Sequence, residues 1–299
     1  MGVEMKILVT GGAGFIGTNL IKRLLKDGHE VTSVDNYSTG FEKNHQDGCQ
    51  YYNYDISSEH TLGIYVDVAT YPSWRDEEYD VIYHMAALAR IQPSLENPHP
   101  TLVNNFLSTL NILEYARKTK TPIVYAGSSS IHHGLFESPY AWSKFSGEDL
   151  CKLYSNVYKV PTSICRFYNV YGDYQIKEGT YATVLGIFQK QYEDGKPLTV
   201  VSPGTQRRDF THVEDIVDGI IKSSEKEFYG EIFELGRGVN HSISEVANMF
   251  TGHPTVTIPV REGEYDVTLA DPSHAKEVLG WTPTKNLKDY MENYINETN

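Results

Sequence analysis

The stretch ILVTGGAGFIGTNL, residues 7–20, decides how the rest of the chain is read. A short β-branched run ends in glycines, and the amphipathic NLIKRLLKDG follows and stops at Gly28. Gly11, Gly14 and Gly17 fall at GxxGxxG spacing between the two segments. That spacing suits a tight turn, a close approach of backbone to a pyrophosphate, and a helix N-terminus serving as the anion site. The next run, EVTSVD, ends on Asp35. An acid there can hydrogen-bond both ribose hydroxyls of a dinucleotide and repels a 2′-phosphate. The residues that follow, NYST, bring no arginine to pair with such a phosphate, so the reading favours NAD over NADP. With no Lys-Ser or Lys-Thr pair after the glycines, a GxxxxGK[ST] phosphate loop is excluded.

The alternation continues downstream. CQYYNYDI, YDVIYHMAA and PIVYAGSS read as a third, fourth and fifth strand, and TSICRFYNVYG as a sixth. Residues 104–118 read as a helix with Leu110, Leu113 and Tyr115 among its apolar positions, and SPYAWSKFSGEDLCKLYSNVY as a long helix. Strands alternating with helices predict an α/β fold, a doubly wound parallel Rossmann sheet covered on both faces. After Gly172 the rhythm breaks into shorter elements separated by turn signals. THVEDIVDGIIKS is a clear helix there, with Thr211 and Glu214 at capping-box spacing and Val213, Ile216, Val217, Ile220 and Ile221 on its apolar face. The expected organisation is a dinucleotide domain over 1–172 and a smaller C-terminal substrate subdomain over 173–299, interleaved with it.

Bulk properties narrow the function. The chain has 299 residues, 40% of them hydrophobic, and a formal net charge of -13. That balance speaks against a nucleic-acid partner, whose phosphates need Lys and Arg. Three widely spaced cysteines form no CxxC pair, which suits reduced thiols and a cytoplasmic setting. No run approaches the ~20 apolar residues of a membrane span, and no secretory signal opens the sequence.

The chemistry concentrates in GSSSIHHGLFESPYAWSK, residues 127–144. Tyr140 and Lys144 are i and i+4, hence on one helix face. Ser138 and Pro139 read as an N-cap and first helical residue, placing Tyr140 in the first turn. The helix dipole and the Lys144 ammonium are expected to favour the phenolate there. A serine hydroxyl, from Ser128 or Ser129, orients the reacting alcohol and stabilises its developing oxyanion. Tyr-x-x-x-Lys alone carries little weight: it recurs at Tyr192 and Lys196, where Asp194-Gly195 and Pro197 break the helix.

With these motifs in place the chain resembles an extended short-chain dehydrogenase/reductase of the nucleotide-sugar epimerase/dehydratase family. TGGAGFIG, DNYSTG, YDI, HMAAL, YAGSSS, SPYAWSK, RFYNVYG, RRDFTHVEDIVDG, FELGRG, REGEYDVTLAD and LGWTPT run in the family's order from Lys6 to Pro283. The resemblance implies cofactor contacts from Phe15, Ile16, Asn36, Thr39 and Gly40 besides the residues above, and from Asp55 and Ile56 beside adenine. It implies that Met85, Ala86, Ala87 and Leu88 lie under the cofactor's ribose and phosphates, with Asn105 in support and Tyr168 near the nicotinamide. Lys144 would also hold the nicotinamide ribose. Asn169, Arg208 and Arg261 match contacts to a substrate diphosphate, which two arginines suit. A homodimer is likewise implied, through the helix of Tyr140 and its neighbour, where Leu150 and Leu153 suit either that interface or an intramolecular core.

The chain departs from the family between strand and helix. IHHGLFE replaces a longer loop that helps wall the sugar pocket, so counting from Tyr125 selects Ser128 and counting back from Gly134 selects Ser129. His132 and His133 lack a third ligand at metal spacing and read as a polar pocket rim. No acid follows the serines, which disfavours the eliminations and decarboxylations of the family. The expectation is an NAD-dependent epimerase that oxidises the 4-hydroxyl of a nucleotide sugar, a UDP-hexose, and reduces the 4-keto sugar on its other face. The alternatives are a UDP-uronic acid epimerase or decarboxylase, or a non-catalytic NAD-binding regulatory protein.

Overall fold

The structure, a computed structural model, describes residues 3–58 and 73–298. Its strands in chain order are Lys6–Thr10 (β1), Glu30–Asp35 (β2), Cys49–Asn53 (β3), Val81–His84 (β4), Ile123–Ser128 (β5), Thr162–Phe167 (β6), Asn169–Tyr171 (β7), Leu198–Val201 (β8), Arg207–His212 (β9), Tyr229–Leu235 (β10), Asn240–Ser242 (β11) and Thr255–Ile258 (β12). The helices are Phe15–Lys26 (α1), Ile91–Glu96 (α2), Pro98–Thr119 (α3), Pro139–Tyr158 (α4), Val184–Glu193 (α5), Val213–Lys222 (α6), Ile243–Asn248 (α7), Ser273–Leu279 (α8) and Leu287–Thr298 (α9).

One sheet runs β10-β6-β5-β4-β1-β2-β3 among the described residues, every neighbouring pair parallel. Because successive side chains leave a strand on opposite faces, β1 feeds two cores. Ile7 and Val9 join Leu20, Ile21 and Leu24 of α1 and Ile216, Val217 and Ile220 of α6 on one face. Leu8 joins Ile112, Leu113 and Ala116 of α3 and Cys151 and Tyr154 of α4 on the other. Strand order reverses between β2 and β4 on either side of β1, and the carboxyl ends of these strands open the crevice used below.

Three sequence expectations are corrected. The sixth strand is two: β6 stays in the large sheet, while β7 leaves after Tyr168 to pair with β9 in a second sheet of order β11-β9-β7. The cap of α6 is His212, whose ring accepts from the Glu214 N–H at 3.2 Å. Thr211 is one residue too early and bonds Asp209 instead, at 3.3 Å. The helix read over 104–118 starts earlier, at Pro98, where proline at N1 needs no N–H partner. The C-terminal strands and helices gather a third core around Phe188, Phe210, Phe250 and Met291, yet β10 returns to the edge of the large sheet beside β6.

Candidate active site

The crevice is a cavity of about 760 Å³ lined by the ends of β1, β2, β4, β5 and β6 on one side and by C-terminal segments on the other. At its floor, Gly11 has φ +72°, and a Cβ there would stand 2.7 Å from the Ala86 backbone nitrogen. A Cβ on Gly17 would stand 2.2 Å from the Gly11 carbonyl oxygen. Both glycines are therefore required for α1 to start this close to β4. Gly14 opens α1 with no side chain on its first N–H groups, which leaves them available to an anion in the crevice.

Asp35 sits beside this turn. Its Oδ2 accepts from the Ala13 N–H at 3.0 Å and its Oδ1 from the Tyr37 N–H at 2.8 Å. Burial pushes its pKa up, and these two hydrogen bonds oppose that shift. Asp55 accepts from Ser57 N–H and Oγ, at 2.9 and 2.7 Å, and lines the cavity with Ile56. Asn105 clasps the Met85–Leu88 segment, accepting from Leu88 N–H at 2.8 Å and donating to its carbonyl at 3.1 Å. Phe15, Ile16, Asn36, Thr39, Met85, Ala86, Ala87, Leu88 and Asn105 all line the crevice. Gly40 does not; a Cβ there would meet the Ala13 carbonyl carbon at 2.9 Å, so it packs behind the wall.

Ser138 caps α4, accepting from the Ala141 N–H at 3.1 Å, and Pro139 follows at N1. Tyr140 and Lys144 thus share the face of α4 turned to the crevice. Of the two candidate serines, Ser128 is the one whose side chain acts on the Tyr140 phenol, lowering its pKa. Its hydroxyl is fixed in turn by Ser130, whose Oγ lies at 3.0 Å and whose N–H donates at 3.2 Å. Ser129 lines the same wall without that effect on Tyr140. Burial lowers Lys144 to about 8, with Glu148 opposing it, and its Nζ lies 4.3 Å over the Tyr125 ring.

Tyr140 itself departs from expectation. Burial pushes the phenol up, and the groups that oppose this are Ser128 and the Arg90 guanidinium, not Lys144. Arg90 carries no recognisable motif, and its placement in the crevice comes from the fold alone. The substrate-side residues are gathered, but Arg208 is already engaged within the protein. Asn169, Arg208 and Arg261 all line the crevice. Arg208 is already committed: its guanidinium donates to the Tyr265 and Arg207 carbonyls at 2.7 and 2.9 Å and pairs with Glu264 at 3.0 Å. Tyr168 lines the crevice, but its hydroxyl donates to Glu234 at 2.7 Å. Next in sequence to Arg208, buried Asp209 turns away and collects the N–H groups of Arg237, Gly238 and Ala270, tying β9 to two loops.

The two histidines of the shortened loop do not line the crevice. His132 Nε2 meets Glu234 Oε1 at 2.6 Å. Burial raises Glu234, but His132, the Asp271 N–H and Tyr168 together bring it to about 2. His133 stacks on Tyr265, centroids 4.0 Å apart, and burial lowers it to about 4. An unfolded histidine titrates near ~6.5. Protonation therefore favours the unfolded chain, and this contribution to stability is intact above that pH and lost as pH falls toward 4. His133→Phe keeps the stacking and removes the titration. Its urea midpoint is expected to fall less than the wild-type midpoint between pH 7 and pH 5.

Among the described residues no cluster of His, Cys, Asp or Glu could hold a metal, and no helix is long and apolar enough to cross a membrane.

Comparison with known proteins agrees with this geometry. A family model described as the NAD dependent epimerase/dehydratase family matches residues 7–236. A putative UDP-glucose 4-epimerase of Methanocaldococcus jannaschii is 31% identical over 97% of this chain and 97% of its own. A UDP-glucuronate 4-epimerase of Thermodesulfobacterium geofontis is 31% identical over 97% of this chain and 94% of its own. The crystal structure of a UDP-glucose 4-epimerase with UDP-glucose from Thermotoga maritima superposes with a TM-score of 0.88 and 27% identity, covering 98% of this chain and 99% of that one. With its doubly wound sheet, glycine turn and Ser-Tyr-Lys wall, the chain belongs to the NAD dependent epimerase/dehydratase family and is an enzyme that uses NAD.

Proposed function

We propose that the protein is a nucleotide-sugar 4-epimerase acting on a UDP-hexose through a transient 4-keto sugar. The observation that carries this reading is the Ser128–Tyr140–Lys144 wall with no acid beside the serine. Among the described residues the acids lining the crevice are Asp35, Asp55, Glu96 and Glu264, and none of them adjoins Ser128 in the chain. Elimination of water needs such an acid; reversible oxidation at one carbon does not.

The N-terminus of α1 and Asp35 would hold the pyrophosphate and ribose of NAD, with Asn105 keeping the Met85–Leu88 segment in place. NAD, when bound, supplies the acceptor and later the donor of hydride. Tyr140 takes the proton of the 4-hydroxyl and returns it after the keto sugar has presented its other face. Ser128 holds that oxygen through both steps and, with the Arg90 guanidinium, favours the phenolate, while the Lys144 ammonium secures the cofactor ribose. The 173–299 segment carries the contacts to the nucleotide, through Arg208 and Arg261. A homodimer is supported by α4, where Leu150 packs inward while Leu153, Val157 and Tyr158 stand exposed.

Incubation with a panel of UDP-sugars and chromatography of the products tests the reading. Formation of the 4-epimer is the expected result. Carbon dioxide release in place of an epimer identifies a decarboxylase, and NAD binding without turnover of any sugar identifies a binding protein.

A further inference from the structure

Lys144 is a buried cation with few groups to hold it. It is 3% exposed, and among the described residues its Nζ makes no hydrogen bond and no ion pair. What the Nζ does meet is the face of Tyr125, 4.3 Å from the ring centroid. Tyr125 lies in β5, is itself buried, and touches α4 at a second point, where its hydroxyl donates to the Lys144 carbonyl at 3.2 Å. The helix is shaped to admit this ring. Residue 147, in the interior of α4, is glycine, a residue that weakens helices. A Cβ there would stand 2.1 Å from the Tyr125 hydroxyl oxygen and 2.6 Å from its Cζ. Gly147 is therefore the notch that lets the phenol ring reach Lys144.

The other groups around the ammonium narrow what can keep it in place. Glu148 and Cys151 of α4 and His84 of β4 face it, and Tyr140 lies one turn before it. Burial pushes the Cys151 thiol and the phenols of Tyr125 and Tyr140 up, so all three are neutral at neutral pH. Burial, with Lys144 adding to it, brings His84 to about 3, and this neutral ring bridges Thr10 and Thr109 at 2.7 and 3.1 Å. Glu148 alone among them is an anion, and its carboxylate is shared with Arg166 at 2.7 Å. The aromatic face supplies what the carboxylate does not: a fixed seat for the cation.

We propose that Tyr125 is a positioning residue for Lys144, its ring face holding the ammonium charged and aimed at the cofactor ribose. A cation over an aromatic face is attracted by the ring quadrupole, most strongly where water is excluded. The proposal rests on the role of Lys144 at the cofactor and not on the identity of the sugar.

The test follows the exchange of bound NAD for isotopically labelled NAD on the NAD-loaded protein, from pH 6 to pH 10. Exchange is expected to accelerate as the ammonium loses its proton, and Lys144→Met to exchange fast at every pH. Tyr125→Phe keeps the ring face and is expected to leave the midpoint of this acceleration unmoved. A trifluorinated phenylalanine at position 125 has nearly the same shape and a face stripped of electron density. It is expected to move the midpoint down by about one pH unit. Tyr125→Leu, which removes the face altogether, is expected to move it the same way. Melting temperatures establish that each variant is folded over the pH range used. A role in packing alone would lower stability and leave the midpoint in place. Equal midpoints in the phenylalanine and trifluorophenylalanine proteins, or a pH-dependent exchange that persists in Lys144→Met, overturns the proposal. A protein that turns over no sugar fails the epimerase reading and leaves this measurement intact, because it reads NAD alone.

Discussion

Tyr140→Phe is expected to lower kcat by about 1,000-fold, the usual scale for removal of a general base, with bound NAD retained. One oxygen is lost and the ring stays. The backbone of Tyr140 is held by Ser94 and by the Ser138 cap of α4, and neither contact uses the phenol. Burial holds the phenol in its protonated form, while Ser128 and Arg90 work against this, with Lys144 on the same helix face and the phenols of Tyr125 and Tyr265 nearby. The acid limb of the pH–rate profile therefore reports how well those groups release the proton. Ser128→Ala removes a side chain that lowers the phenol pKa, so its acid limb is expected to move to higher pH. Ser129→Ala leaves Ser128 in place and its acid limb unmoved. Single-turnover oxidation, followed by absorbance of the reduced cofactor, measures all three variants. A Tyr140→Phe enzyme within about tenfold of wild type would show that another group takes the proton.

The cofactor end of the molecule was readable from residues 7–35 because its constraints are local. A strand, a turn that excludes Cβ atoms at Gly11 and Gly17, a helix start and an acid on the next strand are all contiguous. The Tyr140 helix was readable for the same reason, since its cap and its i, i+4 pair lie within seven residues. What escaped is set by distant contacts. Nothing in RFYNVYG says that β7 will pair with β9 rather than continue β6. His132 meets a glutamate 102 residues away, so the loop histidines that read as a pocket rim belong to a different network. Arg90 has no spacing signature, and its charge reaches Tyr140 only because α2 packs on α4. Arg208 matches its motif in position, yet its partner Glu264 arrives from a loop 56 residues on. The segments that read correctly have their constraints close by in the chain, and the ones that did not depend on partners far away in sequence.

Glu148→Gln is expected to be the costliest single change outside the reacting groups. Glu148 is fully buried on α4, and its two oxygens accept from Arg166 of β6 at 2.7 Å (Nη2) and at 3.1 and 3.2 Å (Nε). Gly127 of β5 is the neighbour that makes room: a Cβ there would stand 3.0 Å from Glu148 Oε1. Removing one charge of a buried pair leaves the other uncompensated, a loss of about 3–5 kcal/mol. For Arg166 the loss is softened by Glu234, 3.7 Å from its Nη1. A fall in melting temperature of roughly 6–12 °C is expected, with Glu148→Gln/Arg166→Met recovering part of it. The same change reaches the chemistry, because Glu148 opposes the burial that brings Lys144 to about 8. Without it the ammonium loses its proton at lower pH, and the alkaline limb of the pH–rate profile is expected to move down. A purely structural ion pair would lower stability and leave that limb in place. Movement of the limb in Glu148→Gln, measured below the melting transition and absent from Arg166→Met, distinguishes a carboxylate that sets the charge of Lys144 from one that only joins α4 to the sheet.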